Sequence, residues 1–152
     1  MAERIALACD HRGHPLARAL RERLQHAGYE VRDFGTDGAA PVDYPDFAGP
    51  AAEALSRGEV QRAIVICGSG LGVCYTANRF PRVRAAWVQD VAAAEQSRRH
   101  NDANALALSA ERLDAETAWP IVERWLATAF EGGRHARRIR KIASLESPNG
   151  KS

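Results

Sequence analysis

Two rhythms of apolar residues take turns along this chain. Short strand-forming runs, rich in apolar residues, fall at residues 4–9, 29–34, 60–67, 83–88 and 103–108. Between them, apolar residues recur at helical spacing. Leu16, Leu20 and Leu24 stand four apart within residues 15–28, a segment closed by Gly28. The same reasoning predicts helices at 46–57, stopped by Gly58, and at 71–79, 91–99 and 114–129, the last with Asp114 as N-cap. Glu131, Gly132 and Gly133 interrupt the pattern, and a basic helix runs on to about residue 145. Residues 35–45 read as a turn-rich loop and 147–152 as a disordered tail. The alternation predicts a five-stranded parallel sheet with helices on both faces. That is a doubly wound, Rossmann- or flavodoxin-like three-layer α/β/α fold, here with a C-terminal basic helix, in a single domain over residues 1–146.

Composition narrows the class. The 152 residues are 45% hydrophobic and 26% charged, ordinary values for a globular domain with a sizeable core. A formal charge of +2 gives no reason to expect a nucleic-acid protein. Basic residues gather at Arg134, Arg137, Arg138, Arg140 and Lys141. The sequence has no long apolar span for a membrane, and residues 1–4 lead into a strand rather than a signal peptide. Cys9, Cys67 and Cys74 form no C-x-x-C pair, so free thiols in a reducing cytoplasm are expected.

In such folds ligands gather at the carboxyl ends of the strands. The richest stretch there is I-V-I-C-G-S-G-L-G-V-C-Y-T-A-N, residues 64–78. An apolar strand ends at Cys67, and Gly68, Gly70 and Gly72 lead into a helix. A loop of backbone N–H groups before a helix N-terminus can hold an anion and favours a thiolate. Three familiar phosphate loops fail on residue identity. The dinucleotide fingerprint needs a different glycine spacing, the P-loop needs G-K-[ST], and a cysteine phosphatase needs Arg where Val73 stands. Plainer readings stay open: glycines that permit a tight turn, and a cysteine that packs as a small core residue.

Asp10 and His11 follow the first strand and serve either as a loop-capping pair or as polar ligand contacts. The run Arg98-Arg99-His100-Asn101-Asp102-Ala103-Asn104 is dense in polar groups before the fifth strand. Arg134 and Arg138 share a helix face, which suits either solvent or a phosphate. No metal-ligand spacing is present, so no metal is expected.

The segments A-C-D-H-R-G, V-D-Y-P-D-F-A, I-C-G-S-G-L-G-V, T-A-N-R, R-R-H-N-D-A-N-A-L-A-L and F-E-G-G-R-H-A-R-R-I occur in that order. Together they resemble the ribose-5-phosphate isomerase B family, which includes galactose-6-phosphate and allose-6-phosphate isomerases. The resemblance implies an aldose–ketose isomerase of a sugar phosphate, working without cofactor or metal. It implies Cys67 as the base that moves a proton between C1 and C2 through a cis-enediolate. Ser69 keeps a hydroxyl where the family usually has Thr. His100 matches a ring-opening residue, and Asp10, Asp43 and Tyr44 match groups near the sugar. Gly68, Gly70 and Gly72 would face the enediolate, and Asn101 would contact it or a hydroxyl. His11, Arg134 and Arg138 match phosphate contacts. The family's dimers or tetramers imply a homo-oligomer with sites at the subunit interface, His135 and the basic helix reaching the neighbour.

Several positions depart from the family pattern. Glu111 stands where an arginine near the phosphate is usual, with Arg112 beside it as a replacement. Arg12 stands where a small residue is common, Arg79 where Lys is usual, and Trp87 and Gln89 are unusual after the fourth strand. Ribose 5-phosphate is the leading substrate. Another four- to six-carbon sugar phosphate, or non-catalytic binding of one, is the alternative.

Overall fold

The structure, a computed structural model, describes residues 2–146, so the tail expected to be disordered lies outside the described residues. The strands are β1 (Arg4–Cys9), β2 (Glu30–Asp33), β3 (Arg62–Cys67), β4 (Ala85–Trp87) and β5 (Ala105–Ser109). The helices are α1 (His14–His26), α2 (Pro45–Ser56), α3 (Leu71–Ala77), α4 (Val91–Asn101), α5 (Ala115–Ala127) and α6 (Arg134–Ala143). All strand pairs are parallel, in the order β2-β1-β3-β5-β4. The expected doubly wound α/β architecture is therefore the observed one.

The period-two alternation of the central strands sorts their side chains onto two unequal faces. Ile5, Leu7, Ile64, Ile66, Leu106 and Leu108 pack on one side with α1, α5 and the fully buried Trp125. Ala6, Ala8, Ala63, Val65, Ala105 and Ala107 line the other, against Ala48, Ala51, Ala52 and Leu55 of α2 and Val73 and Ala77 of α3. Small residues let α2 and α3 lie close to the sheet. Cys67 belongs to that small-residue face, at the end of β3.

Several element ends differ from expectation by one or two residues, and two of the differences have a clear local cause. β4 is shorter than the apolar run because asparagine side chains take over its entry. Asn104 Oδ1 accepts from the Arg84 amide (2.7 Å), and Asn78 Oδ1 from the Ala85 amide (2.8 Å). Helix α4 runs on through His100 to Asn101, where Asp102 closes it in the left-handed region at φ 47°. Elsewhere Asp114 caps α5 as expected, in a reciprocal box with Thr117. Among the described residues, no helix is long and apolar enough to cross a membrane.

The winding direction reverses between β1 and β3. Loops leaving those adjacent strands diverge and open a crevice at their carboxyl ends. Asp10 and Cys67 stand on either side of it, since Cys9 pairs with Ile66 in register.

Candidate active site

Cys67 is buried, and its sulfur accepts the Gly70 amide at 3.2 Å. The donor belongs to a residue with a left-handed backbone, Gly70 at φ 79°. The loop's carbonyls are pinned from neighbouring strands. Ala110 N donates to Cys67 O (3.0 Å), and Ser109 Oγ (2.7 Å) and Glu111 N (3.0 Å) donate to Gly68 O. Trp87 Nε1 donates to Ser69 O (2.9 Å), and Leu71 N donates to Ser69 Oγ (3.1 Å). Among the described residues, nothing takes the amides of Gly68 or Ser69. They can therefore serve an incoming oxyanion, whereas the Gly70 amide is spent on the sulfur.

The other cysteines are held as thiols. Burial, with the charges of Asp33 and Asp10, pushes Cys9 up to about 12. Burial and the nearby Cys67 push Cys74 up as well. Of the three, Cys67 alone has a sulfur that accepts a loop amide.

A cavity of about 250 Å³ opens at Cys67, lined also by Asp10, Arg12, Tyr44, Ser69 and Tyr75. Asp10 is buried, and its Oδ1 accepts the amides of Arg12 and Gly13, each at 3.0 Å. It therefore caps its own loop while facing the cavity, joining the two readings that the sequence left open. His11 Nδ1 accepts the Val42 amide at 3.2 Å, which leaves the ring proton on Nε2 for a ligand. Tyr44 lies across Gly72, where a β-carbon would strike its ring. Asp43, beside it in sequence, lines a different cavity with Pro41, Asp46 and Phe47.

Tyr75 lines the cavity without any motif in the sequence marking it as a site residue. It follows Gly72 by three residues, so it lies on the same helical face. Several of the positions that depart from the family pattern also gather here. Arg12 Nη1 meets Glu111 Oε1 at 3.0 Å. Arg112, expected to replace the missing arginine, instead lies over the Trp87 ring at 5.5 Å. Gln89 holds the end of β5, accepting from Ser109 N (2.9 Å) and donating to Ala107 O (3.1 Å).

A second group of expected site residues forms on α4 and α6. The rings of His100 and His135 stack at 4.4 Å with planes 13° apart. His135 is buried, and its Nε2 has no hydrogen-bond partner. Glu131 Oε1 stands 3.8 Å from it. Burial first, then Arg134 and His100, lower the His135 pKa below the usual histidine value. Arg134, Arg138 and Asn101 are exposed nearby in sequence. The ligand atoms of His100, Glu131 and His135 lie within 4.8 Å of one another. Arg99 already holds Glu131 at 2.6 Å, and guanidiniums on both helices work against a cation.

The two groups sit at opposite edges of the sheet. Cys67 pairs with Ser109 at the carboxyl end, whereas His100 and Asn101 precede Ala105, which pairs with Ala63 at the other end. The strand between them is about 13 Å long at the usual rise per residue. None of His100, Asn101, Arg134, His135 or Arg138 lines the Cys67 cavity.

Similarity to known proteins supplies the context for this arrangement. Residues 5–142 match the model of the Ribose/Galactose Isomerase family. The chain is 40% identical over 144 residues to ribose-5-phosphate isomerase B of Escherichia coli, covering 95% of this chain and 97% of that protein. It superimposes with a TM-score of 0.92 on the Clostridium thermocellum ribose-5-phosphate isomerase B, at 47% identity over 93% of this chain and 96% of that one. The Mycoplasma genitalium ribose-5-phosphate isomerase B with bound ribulose-5-phosphate gives 0.91, at 38% identity over 95% and 96%. The match spans both the Cys67 edge and the α4–α6 group, and the chain belongs to this family of aldose–ketose sugar-phosphate isomerases.

Proposed function

We propose that the protein interconverts ribose 5-phosphate and ribulose 5-phosphate, with Cys67 as the proton-transferring base. The observation that carries this reading is the amide of Gly70 directed at the Cys67 sulfur. The donor at 3.2 Å holds the sulfur at the cavity mouth, where abstraction beside a carbonyl requires a base. The thiolate removes the proton from C2 of the open-chain aldose and returns it to C1, while a second proton passes from O2 to O1. Charge collects on the enediolate oxygens, where the unused amides of Gly68 and Ser69 are within the same loop. A positioned base supplies about 10²–10⁴-fold and an oxyanion donor about 10²–10³-fold. Ser69 Oγ and Asp10 are available to the substrate hydroxyls.

Ring opening and phosphate binding fall to the residues at the other sheet edge. His100, with Asn101, Arg134, His135 and Arg138, serves the Cys67 cavity of a second copy of the chain. His11 contributes Nε2–H to the phosphate from the Cys67 side. A homo-oligomer with shared sites follows from this division. Tyr44 bounds the sugar end, whereas Asp43 lines the neighbouring cavity.

The test is Cys67→Ala. Ribulose 5-phosphate formation from ribose 5-phosphate, followed by NMR without added cofactor, falls below detection while calorimetric binding of the sugar phosphate survives. Retained turnover overturns Cys67 as base. The Arg12–Glu111 contact at the cavity favours a second reading, a different sugar phosphate. A panel of four- to six-carbon aldose phosphates decides between them.

A further inference from the structure

Among the described residues, Arg12 is the only cationic side chain lining the Cys67 cavity. Its guanidinium and the Glu111 carboxylate lie directly over Gly68. A β-carbon there would stand 2.9 Å from Arg12 Nη1 and 2.8 Å from Glu111 Oε1. Glycine at this position lets the ion pair rest on the loop beside the reacting sulfur. Both backbones are fixed: Asp10 Oδ1 accepts the Arg12 amide, and the Glu111 amide donates to Gly68 O. The guanidinium itself is free to turn. Its side chain is 61% exposed, and it also borders a second cavity of about 300 Å³ with Leu16, Ala110 and Leu113.

We propose that Arg12 is a phosphate-binding, specificity-determining residue, held by Glu111 until a phosphorylated sugar draws it away. The proposal rests on the isomerase reading for the identity of the ligand. Competition between the two anions decides it. An ion pair this exposed is worth at most about fivefold in an equilibrium. A guanidinium that meets a phosphate with two charge-assisted hydrogen bonds is worth about tenfold or more. The phosphate therefore wins, and Glu111 sets how much affinity remains. A substrate without a phosphate leaves the pair closed, so Arg12 supplies the preference for phosphorylated sugars and Glu111 tempers it.

The experiment compares the unmodified protein with Arg12→Gln, Glu111→Gln and the double variant. Inorganic phosphate binding is measured by calorimetry, and KM and kcat with ribose 5-phosphate. Arg12→Gln weakens phosphate binding and raises KM about tenfold, with kcat changed far less. Glu111→Gln tightens both by up to about fivefold, a gain that misfolding cannot produce. In the double variant that gain disappears. Phosphate binding unchanged by Arg12→Gln overturns the proposal, as does a Glu111→Gln gain that persists without Arg12. Arg12-dependent phosphate binding in a protein that converts no sugar phosphate overturns the isomerase reading alone.

Discussion

The Gly70 amide reaches the Cys67 sulfur across 3.2 Å, and residue 70 itself sits at φ 79°. A β-carbon there would meet the Leu108 carbonyl carbon at 2.9 Å and Trp87 Nε1 at 3.0 Å. Backbone sign and close packing thus demand glycine at the same position. Gly70→Ala is expected to lower kcat by about 10²-fold through the displaced donor. Gly58→Ala is the comparison. That residue has φ 77° and open space around it, so it carries the backbone strain of about 1 kcal/mol without touching the loop. Thermal melting and kcat measured on both variants separate the two effects. Equal kcat values would remove the Gly70 amide from the mechanism.

Trp87 holds the same loop from its outer side. Its Nε1–H donates to Ser69 O, while Arg112 lies over its ring. Trp87→Phe keeps an aromatic surface for Arg112 and deletes only the hydrogen bond. A bond of this kind is worth about 1 kcal/mol, so kcat is expected to fall roughly fivefold while KM holds. Steady-state kinetics on the single variant is the check. An unchanged kcat would mean that the β5-side contacts hold the loop by themselves.

His135 links stability to pH. Burial, with Arg134 and His100 adding to it against Glu131, keeps its pKa below the usual 6.5. The unfolded chain therefore takes up a proton at a pH where the native protein does not. That contribution to stability is complete above pH 6.5 and is lost progressively as the pH falls below it. Melting temperatures followed down to about pH 5 are expected to decline more steeply for the unmodified protein than for His135→Gln. Parallel curves would show that the buried imidazole does not titrate on unfolding.

The strands and helices were legible because each segment carries its own period. The strand order was not, since it depends on which crossover passes over which strand, and no local pattern records that. Cys67 and its glycines were legible because a cysteine at a strand end before a glycine loop is a local feature. The polar run at 98–104 misled in part. Arg98 spans Asp102 and the carbonyls of Ala103 and Thr128, and Asn104 ties down the entry to β4. Most of that density holds the fold, and His100 stands out only through its stack on His135, thirty-five positions further on. Arg12 and Glu111 each looked like an isolated departure. Only the sheet, by setting the loops after β1, β3 and β5 side by side, makes them a pair.

The opposite placement of Cys67 and His100 gives the sharpest test of a shared site. Cys67→Ala and His100→Ala each remove one half of every site, so each protein alone is expected to be inactive. When unfolded and refolded together, the two chains form mixed dimers. In a mixed dimer one site combines both defects, and the other combines an intact Cys67 with an intact His100. Random pairing then restores roughly a quarter of the unmodified turnover. Sedimentation of each variant first establishes that the single substitutions still assemble. Assembled variants that regain no activity on mixing would place both residues in the same chain's site, against the edge-to-edge separation. A monomer at micromolar concentration that retains full turnover would do the same. Recovery on mixing would tie the proton-transfer step at one sheet edge to ring opening at the edge of its neighbour.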